Sequence, residues 1–521
     1  MAYIIPTELI EMVAQKRVIP FLGAGFSRAL NFPDWTELLR DIASNIDSHL
    51  TFDDVQSLCH GDPLQIAEYY YLKSDRNIGP LRHSISKALS NLDNTTLNPL
   101  LSGAHVELVN LGSSQVYTTN YDDLIENTYR GLGVPAEVIA LPKNVAKSNG
   151  KKVQVVKFHG DLRYENTLVL TESSYFSRLD FDSPMDIKFR SDLLGKSVLF
   201  MGYSFRDINI RVIWFKLMEM MKDIPVEDRP VSYIVRATPN IVLEELYNSV
   251  GIKTIVLDSS DSELTNDQMT DLLADFMLEL VFQSRRLSQT IDEKEPDIPQ
   301  FFSTSLYKRI AKQIAGNKKV RQSAYTRRPV PTIDYGVLHE RIIPPRLSNE
   351  ALDLLQLILD EEGFMLNEFI IQFALRLTAT SGISQQSATF ICAGLFRDHS
   401  RNLILKSKIP WSDLWSVKLD SKFVQVMLDW FDSEIMGHEE AEFEDHDIAY
   451  IVDLACRIKN GYICDDTKLQ AATNELLDRA TALYPSVAKY KPPRDSKPTP
   501  TAITREIDAA IQKRNDAQGV G

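Results

Sequence analysis

Short β-rich runs alternate with stretches of helical periodicity through the first 285 or so residues, and this alternation limits the fold more than any other feature. Helices are predicted at 33–46, 121–132, 209–221 and 264–283, and buried strands at 17–22, 115–120, 152–158, 197–203, 232–236 and 253–258. Strands that alternate with helices form a parallel sheet covered by helices, with right-handed crossovers. We therefore predict an α/β domain with a Rossmann-like parallel sheet over residues 1–285.

The pattern changes to helices alone between the first two predicted strands. Residues of about 46–112 include helical stretches at 63–73 and 79–90, and the β-rich runs resume only after them. We interpret this segment as a small helical module inserted into the sheet domain.

The chain after the sheet domain has three parts of different composition. Residues 286–335 lose the periodicity and collect lysine and arginine, which predicts a linker or docking segment. A solvated helix and loop facing an acidic surface, and a contact to nucleic acid, are the alternatives for this segment. Amphipathic stretches at 351–377 and 422–435 predict a mostly α-helical domain over 336–485, and the proline-rich tail, 486–521, is expected to be mobile.

Bulk composition restricts the class of protein. Hydrophobic residues make up 44% and charged residues 25% of the chain, as in soluble globular proteins, and no apolar run is long enough to span a membrane. The N-terminal segment lacks the features of a secretory or transit peptide, so we expect a cytoplasmic protein. A formal net charge of −14 makes nucleic acid an unlikely partner for the whole molecule.

The cysteines argue against a bound metal. They lie far apart without a Cys-x-x-Cys pair, which is untypical of a structural zinc site or a disulfide framework, and we expect free thiols at Cys59, Cys392, Cys456 and Cys464. The acidic stretch 437–447 contains His438 and His446, but the spacing matches no common metal site. The sequence therefore predicts no metal.

Glycine and polar residues follow four of the predicted strands, in the stretches GAGFS (23–27), TTNYDD (118–123), FHGD (158–161) and MGYSFRD (201–207). A Gly-x-Gly after a strand lets backbone N–H groups approach a pyrophosphate, and a following helix N-terminus favours negative charge. Taken alone, GAGFS is equally typical of a tight turn. Because the carboxyl ends of parallel strands meet at one edge, the four stretches together predict a nucleotide-binding crevice.

The stretch GAGFSRALNFPDW resembles the signature of the sirtuins, and TTNYD, FHGD and GYS resemble three further sirtuin stretches in the same chain order. The resemblance extends over about 17–282. It implies that Asn120 and His159 face the nicotinamide ribose of NAD as catalytic residues and that Asp122, grouped with them, meets the carboxamide. It further implies that NAD is held by Gly23, Ala24, Gly25, Phe26, Ser27, Asp34, Trp35, Thr119, Gly202 and Ser204.

The sequence departs from the sirtuin pattern at several positions, and these departures reduce the number of activities that the resemblance implies. Sirtuin deacylases carry a zinc ribbon with paired cysteines after the catalytic histidine, and no cysteine occurs here between Cys59 and Cys392. On the adenosine side, Thr119, Thr36 and Arg236 replace the family's Gln, Arg and Asn. GYSFRD is similar to the bacterial sirtuin-like branch that hydrolyses NAD in anti-phage defence. That similarity implies an NAD glycohydrolase joined to a regulatory or oligomerisation region, with a homo-oligomer and a protein partner that switches it.

The chemistry of N-glycosidic cleavage fits the implied residues. An oxocarbenium-like ribose needs a group to orient its hydroxyls and a base for the incoming water, and an amide and an imidazole suit these roles. Structural alternatives stay open: Asn120 as the cap of a helix beginning at Tyr121, His159 as a core histidine, Asp123 as a first-turn helix charge and Trp35 as core. Two alternative functions are a deacylase or ADP-ribosyltransferase, and a non-catalytic NAD or ADP-ribose sensor.

Overall fold

In the computed structural model of the chain, the structure describes residues 3–30, 32, 37–40, 50–91, 98–178, 183–203, 205, 208–225, 229–260, 263–291, 300–322, 333, 335–339, 341–362, 368–394, 411–436, 447–483 and 485–492, with 509, 512, 513 and 516. The predicted helix at 33–46 lies outside the described residues except for 37–40, which are helical. Most of the predicted tail and of the acidic stretch 437–447 also lies outside them.

A parallel sheet of seven strands organises the first part of the chain, as far as the structure describes it. The strands are β1 (Val18–Leu22), β2 (Gln115–Thr118), β3 (Ala136–Ile139), β4 (Val153–Lys157), β5 (Ser197–Met201), β6 (Ser232–Arg236) and β7 (Ile252–Val256). Their order across the sheet is β3-β4-β2-β1-β5-β6-β7, and every neighbouring pair is parallel. The parallel α/β architecture predicted from the alternating pattern is confirmed.

The described helices occur in both parts of the chain, and those of the first part include the ones that cover the sheet. They are α1 (Thr7–Ala14), α2 (Ala24–Ser27), α3 (Phe52–Leu58), α4 (Pro63–Lys73), α5 (Gly79–Asn91), α6 (Gly103–Asn110), α7 (Leu124–Gly131), α8 (Pro142–Lys147), α9 (Glu172–Phe176), α10 (Pro184–Leu193), α11 (Ile208–Met220), α12 (Ile241–Asn248), α13 (Asn266–Ile291), α14 (Thr304–Gln322), α15 (Gly336–His339), α16 (Ser348–Glu362), α17 (Glu368–Ser381), α18 (Gln385–Gly394), α19 (Trp411–Ser416), α20 (Ser421–Met436), α21 (Asp447–Lys459) and α22 (Thr467–Leu483). None of them, over the residues described, has the length and apolar character needed to cross a membrane.

Side chains of the central strand alternate between two hydrophobic cores. Val18 and Leu22 of β1 belong to a cluster that includes residues of α1, α6 and α13. Ile19 and Phe21 belong to a second cluster with residues of α10 and α11. Successive residues of a strand point to opposite faces, so a strand covered on both faces is apolar throughout, as β1 is.

Two details of the predicted elements are wrong. The strand β3 was not predicted, because AEVI is short, carries a glutamate and lies at the edge of the sheet, where only Ile139 is fully buried. The predicted helix at 121–132 begins only at Leu124, because the three residues before it form a turn.

The helices of the predicted insert pack into two different hydrophobic clusters. The helices α3, α4 and α5 share a small hydrophobic cluster, built around residues such as Ile66, Tyr70 and Ile85. The helix α6, by contrast, is buried along its whole length and contributes to the same core as α1 and α13. The last helix of the predicted insert, α6, is therefore part of the sheet domain.

The chain divides into two compact units, 1–306 and 307–521. The first unit ends beyond the predicted boundary at 285, because α13 runs on to Ile291 and Phe301 is buried in the sheet-domain core. The predicted single stretch at 351–377 is occupied in the second unit by two helices, α16 and α17. All regular elements described in the second unit are helical, as predicted for a mostly α domain.

Candidate functional site

The strand order places a crevice at the carboxyl ends of β1 and β5. The chain leaves β1 towards β2 on one side and leaves β5 towards β6 on the other, so the loops after these two strands diverge. In open α/β sheets, ligands bind where the direction of the connections reverses. The stretches GAGFS and MGYSFRD follow these two strands, at the position predicted for the crevice.

The two glycine-bearing loops pack directly on one another. The N–H of Gly23 donates to the carbonyl of Met201 at 3.1 Å, and that of Gly25 donates to the carbonyl of Gly202 at 2.9 Å. Gly202 has a φ of +59°, and a Cβ there would lie 2.1 Å from the backbone nitrogen of Phe26. These glycines are thus required for the contact between the loops, and the N–H groups of Gly23 and Gly25 are used in it.

The other residues of the GAGFS loop divide between the surface and the core. Ala24 and Gly25 are exposed at the start of α2, where a ligand can approach the backbone. The Phe26 ring is fully buried, with its centroid 4.6 Å from that of the His105 ring, so its side chain belongs to the core. Asp34, Trp35 and Ser204, which were also predicted to bind NAD, lie outside the described residues.

A buried chain of hydrogen bonds joins Asn120, Ser27 and Asp122. The Asn120 Nδ2 donates to Ser27 Oγ at 2.9 Å and to the carbonyl of Gly23 at 3.1 Å. The Ser27 hydroxyl donates to Asp122 Oδ2 at 2.8 Å. Three residues from two of the predicted strand ends are thereby brought together, and all three are buried.

This chain fixes which atom of the Asn120 amide is available. The Ser27 hydroxyl has one proton, which it donates to Asp122 Oδ2, so it must accept from Asn120. The Gly23 carbonyl is also an acceptor, so the NH2 group of Asn120 supplies both donors that these partners require. Because both N–H bonds are used, the remaining capacity of the amide is that of an acceptor, at Oδ1.

Asp122, and not Asn120 or Asp123, caps the following helix. Asp122 Oδ1 accepts from the N–H of Leu124 at 3.1 Å, whereas the Asp123 side chain makes no capping bond. The alternative that Asn120 is a helix cap is therefore wrong. Thr119, at the end of β2, donates its N–H to the carbonyl of Leu22 at 3.3 Å and is only partly buried.

His159 follows β4 in register with Asn120. Thr118 and Lys157 are paired across β2 and β4, and Asn120 and His159 each come two residues later. The His159 ring is buried, and its Nδ1 lies 3.3 Å from the hydroxyl of Tyr175, with the two rings edge to face at a centroid distance of 5.2 Å. Both expected catalytic side chains thus lie at adjacent strand ends on the same edge of the sheet.

Tyr175 was missed by the sequence reasoning. It lies on the short helix α9, whose Thr171 N-cap forms a capping box with Ser174. The spacing of Thr171 and Ser174 was the signal available, since a capped helix soon after FHGD brings its side chains back towards the strand end. The identity of the side chain that reaches His159 depends on tertiary packing.

A buried ion network lies beside these residues. Lys157 is 1% exposed, and its Nζ lies 2.9 Å from Glu126 Oε1 and 3.7 Å from Asp123 Oδ1, with a further hydrogen bond to the carbonyl of Asp122. Burial alone would lower the pKa of Lys157, but the nearby carboxylates of Glu126, Asp122 and Asp123 outweigh burial and raise that pKa. Lys157 is therefore charged at neutral pH.

The carboxylates of Asp123, Glu126 and Asp161 come close enough together to suggest a cation site, with ligand atoms within 4.8 Å of one another. Two protein cations, Lys157 and Arg163, are already paired with these three carboxylates. Lys157 contacts Asp123 and Glu126, and Arg163 donates to Asp161 Oδ1 at 2.8 Å. Burial would raise the pKa of Asp161, but its hydrogen bonds with Arg163 lower it, as expected for a paired carboxylate.

Comparisons with known proteins agree with the resemblance found in the sequence. Residues 114–255 match the SIR2-like domain family, which confirms a sirtuin-like domain in this part of the chain. The chain is 27% identical to NAD(+) hydrolase ThsA of Cytobacillus dafuensis, over 41% of this chain and 40% of that protein. It is 30% identical to NAD(+) hydrolase ThsA of Acinetobacter baumannii, over 37% of each.

A larger relative is Defense-associated sirtuin 2 of Bacillus subtilis, which is 24% identical over 49% of this chain and 25% of its own length. The alignments thus span about 40% of the length of the two ThsA proteins and a quarter of the length of the larger one.

Proposed function

We propose that this chain, which contains a SIR2-like domain, hydrolyses NAD+ to nicotinamide and ADP-ribose at the carboxyl ends of β5, β1, β2 and β4, in the crevice that opens between β1 and β5. The observation that carries the proposal is the buried chain from Asp122 through Ser27 to Asn120, in register with His159. Relatives named as NAD(+) hydrolases support the same reaction. A merely structural strand end would not require an amide held in one orientation by a carboxylate two residues away.

The reaction breaks the bond between the ribose C1′ and the nicotinamide nitrogen. The bonding electrons leave with nicotinamide, which departs neutral because its ring nitrogen is cationic in NAD+. We assign Asn120 Oδ1 to accept a hydrogen bond from a ribose hydroxyl or from the attacking water. As the oxygen of the attacking water bonds to C1′, His159 accepts a proton from that water. Asp122 orients Asn120 through Ser27.

The rest of the NAD+ contacts follow the sirtuin resemblance. Ala24, which is exposed at the start of α2, supports a phosphate contact there, and the exposed Gly25 leaves room for the approach although its N–H is bonded to Gly202. Gly202 and Thr119 border the same edge of the sheet. We also assign to this site the residues of the resemblance for which no side-chain geometry is described, which are Asp34, Trp35 and Ser204. The buried Phe26 side chain anchors the GAGFS loop in the hydrophobic core.

The decisive experiment is incubation of the purified full chain with NAD+, with nicotinamide and ADP-ribose followed by chromatography. We expect release of nicotinamide without any acylated peptide. The variants Asn120→Ala and His159→Ala should each reduce turnover by roughly 10²-fold or more while the protein stays folded. A His159→Ala protein that consumes NAD+ at near the parental rate would refute the assignment.

We further propose that the reaction needs no metal. The four cysteines are free thiols, and the acidic cluster at Asp123, Glu126 and Asp161 is paired with Lys157 and Arg163. Chelation should leave both the thermal midpoint and NAD+ turnover unchanged. Stoichiometric zinc in elemental analysis would contradict this and favour a deacylase.

We propose that the biological role is that of a cytoplasmic effector of anti-phage defence acting by abortive infection, as a homo-oligomer switched by a protein partner. An enzyme that depletes NAD+ would harm its own cell unless it were held inactive, and an interface can shift such an equilibrium with a few kcal/mol. The compact unit 1–306 and the full chain should be compared in mass by light scattering and in NAD+ turnover, with and without candidate partners. The same number of subunits per assembly and the same turnover per subunit would exclude gating by the second unit.

A further inference from the structure

Lys157 connects the two strand ends that carry the catalytic residues. It is the last residue of β4, two positions before His159, and its side chain is 1% exposed. Its ammonium crosses to the neighbouring segment, where it hydrogen-bonds the carbonyl of Asp122 and lies 2.9 Å from Glu126 Oε1. One buried cation thus bridges the strand before His159 and the turn that follows Asn120.

The position of Asp122 determines the position of the Asn120 amide. Asp122 Oδ2 accepts from Ser27, and Ser27 accepts from Asn120 Nδ2. The Lys157 ammonium holds the backbone of Asp122, while the side chain of Asp122 holds this chain. A shift of the Asp122 peptide would therefore move the Asn120 amide.

A buried lysine is a costly way to fill this space. Replacement of a buried ion pair by apolar residues of similar volume is often neutral or stabilising, whereas removal of one partner leaves an uncompensated buried charge. The ion pair of Lys157 with Glu126 is therefore poorly explained by stability, and its contact with the Asp122 carbonyl supplies another reason for it.

We propose that Lys157 is a positioning residue for NAD+ cleavage, which fixes the Asp122 peptide and, through Ser27, the Asn120 amide relative to His159. This inference rests on the proposed function. Lys157 does not itself contact the reacting atoms in this account, since its ammonium is directed to Asp122 and Glu126. Its effect should therefore appear in kcat more than in KM.

The test uses the full chain with the single variant Lys157→Met and the double variant Lys157→Met with Glu126→Leu. The single variant leaves the Glu126 carboxylate buried without the ammonium of Lys157, so the thermal midpoint should fall. The double variant removes one charge of each sign, so the local net charge is unchanged and the thermal midpoint should return to near the parental value. Its kcat should still be reduced by about 10²-fold, with KM changed by less than about threefold, because the hold on Asp122 is lost.

A control variant removes the cation of a less deeply buried ion pair elsewhere in the same sheet domain. Lys188 lies 2.8 Å from Asp192 on α10, where its side chain is 10% exposed. Lys188→Met should change stability but leave kcat at the parental value. Recovery of parental kcat in the Lys157 and Glu126 double variant would overturn the proposal, because the pair would then act through stability alone.

A second readout is independent of NAD+ chemistry. Hydrogen–deuterium exchange of the segment 119–126 should be faster in the double variant than in the parent, and unchanged in Lys188→Met. If the parental chain released no nicotinamide, the proposed function would fail, and this exchange measurement would still test the hold of Lys157 on the turn. Unchanged exchange in the double variant would overturn the positioning role whatever the activity.

Discussion

Ser27 offers the sharpest test of the proposed site, because its hydroxyl connects the side chains of Asn120 and Asp122. Replacement by alanine removes the 2.8 Å bond to Asp122 and the 2.9 Å bond from Asn120. The backbone can stay as it is, since alanine is compatible with the helix α2 in which Ser27 lies. The substitution therefore removes one of the two hydrogen bonds that orient the Asn120 amide, and leaves the amide and its bond to the Gly23 carbonyl in place.

The size of the effect follows from the two lost bonds. A hydrogen bond to a charged acceptor contributes about 1.5–3 kcal/mol, and one between neutral groups about 0.5–1.5 kcal/mol. If about 3 kcal/mol of this is expressed in the transition state, kcat falls by about 10²-fold, since each 1.4 kcal/mol is roughly tenfold. In the variant, the bond to the Gly23 carbonyl alone holds the Asn120 amide, so its orientation is less firmly fixed.

The assay compares kcat, KM and thermal midpoint for Ser27→Ala and for Ser197→Ala. Ser197 is a buried serine at the start of β5, and its Oγ has no hydrogen-bond partner among the described residues. Ser197→Ala should behave as the parent in all three measurements. A folded Ser27→Ala protein with at least half the parental kcat would refute the role given to the hydroxyl.

Three further predictions test other parts of the same domain. Tyr175→Phe keeps the edge contact with His159 and removes the hydroxyl near Nδ1, so we expect kcat to fall about tenfold with an unchanged thermal midpoint, and an unchanged kcat would exclude the contact from catalysis. Gly202→Ala should unfold the domain or lower its midpoint strongly in a melting experiment, whereas Gly133→Ala, with a φ of +71° and open space for a Cβ, should cost only about 1 kcal/mol. Burial lowers the pKa of His105 to about 3, so below about pH 6.5 the unfolded chain binds a proton that the folded chain does not, and stability falls as the pH drops. Between pH 7 and pH 5 the parent should therefore lose about 2 kcal/mol more than His105→Leu in denaturant titrations, and equal losses would contradict the burial effect.

The sequence predicted the sheet, and the edge of it at which the polar strand ends lie, because both depend on local pattern. Apolar runs such as that of β1 must be buried on both faces, and the carboxyl ends of parallel strands must lie on one edge. The strand β3 escaped prediction because an edge strand can carry Glu137 in its centre without cost, so its pattern is weak.

The partners of each site residue could not be predicted, because they depend on contacts between distant segments. Asn120 bonds Gly23 and Ser27 across 97 and 93 positions of the chain, and no spacing rule connects them. The same limit applies to Tyr175, which reaches His159 only through the path of the intervening loop. Residue types at strand ends thus predict where chemistry can occur, and the tertiary structure determines which atom performs it.

Gly23 shows how the separate sequence motifs act as one unit. Its N–H donates to the carbonyl of Met201, the last residue of β5, and its carbonyl accepts from Asn120, which follows β2. Asn120 is held in turn by the chain that leads to Asp122, whose own carbonyl is held by Lys157 at the end of β4. A hydrogen-bonded path therefore runs across the ends of β5, β1, β2 and β4, in the order in which these strands lie in the sheet. A disturbance at the end of β5, far along the chain from Asn120, should reach the Asn120 amide through the single residue Gly23, whose N–H and carbonyl belong to successive peptide units. The glycine-bearing loops therefore orient the proposed catalytic group whether or not they also contact a phosphate.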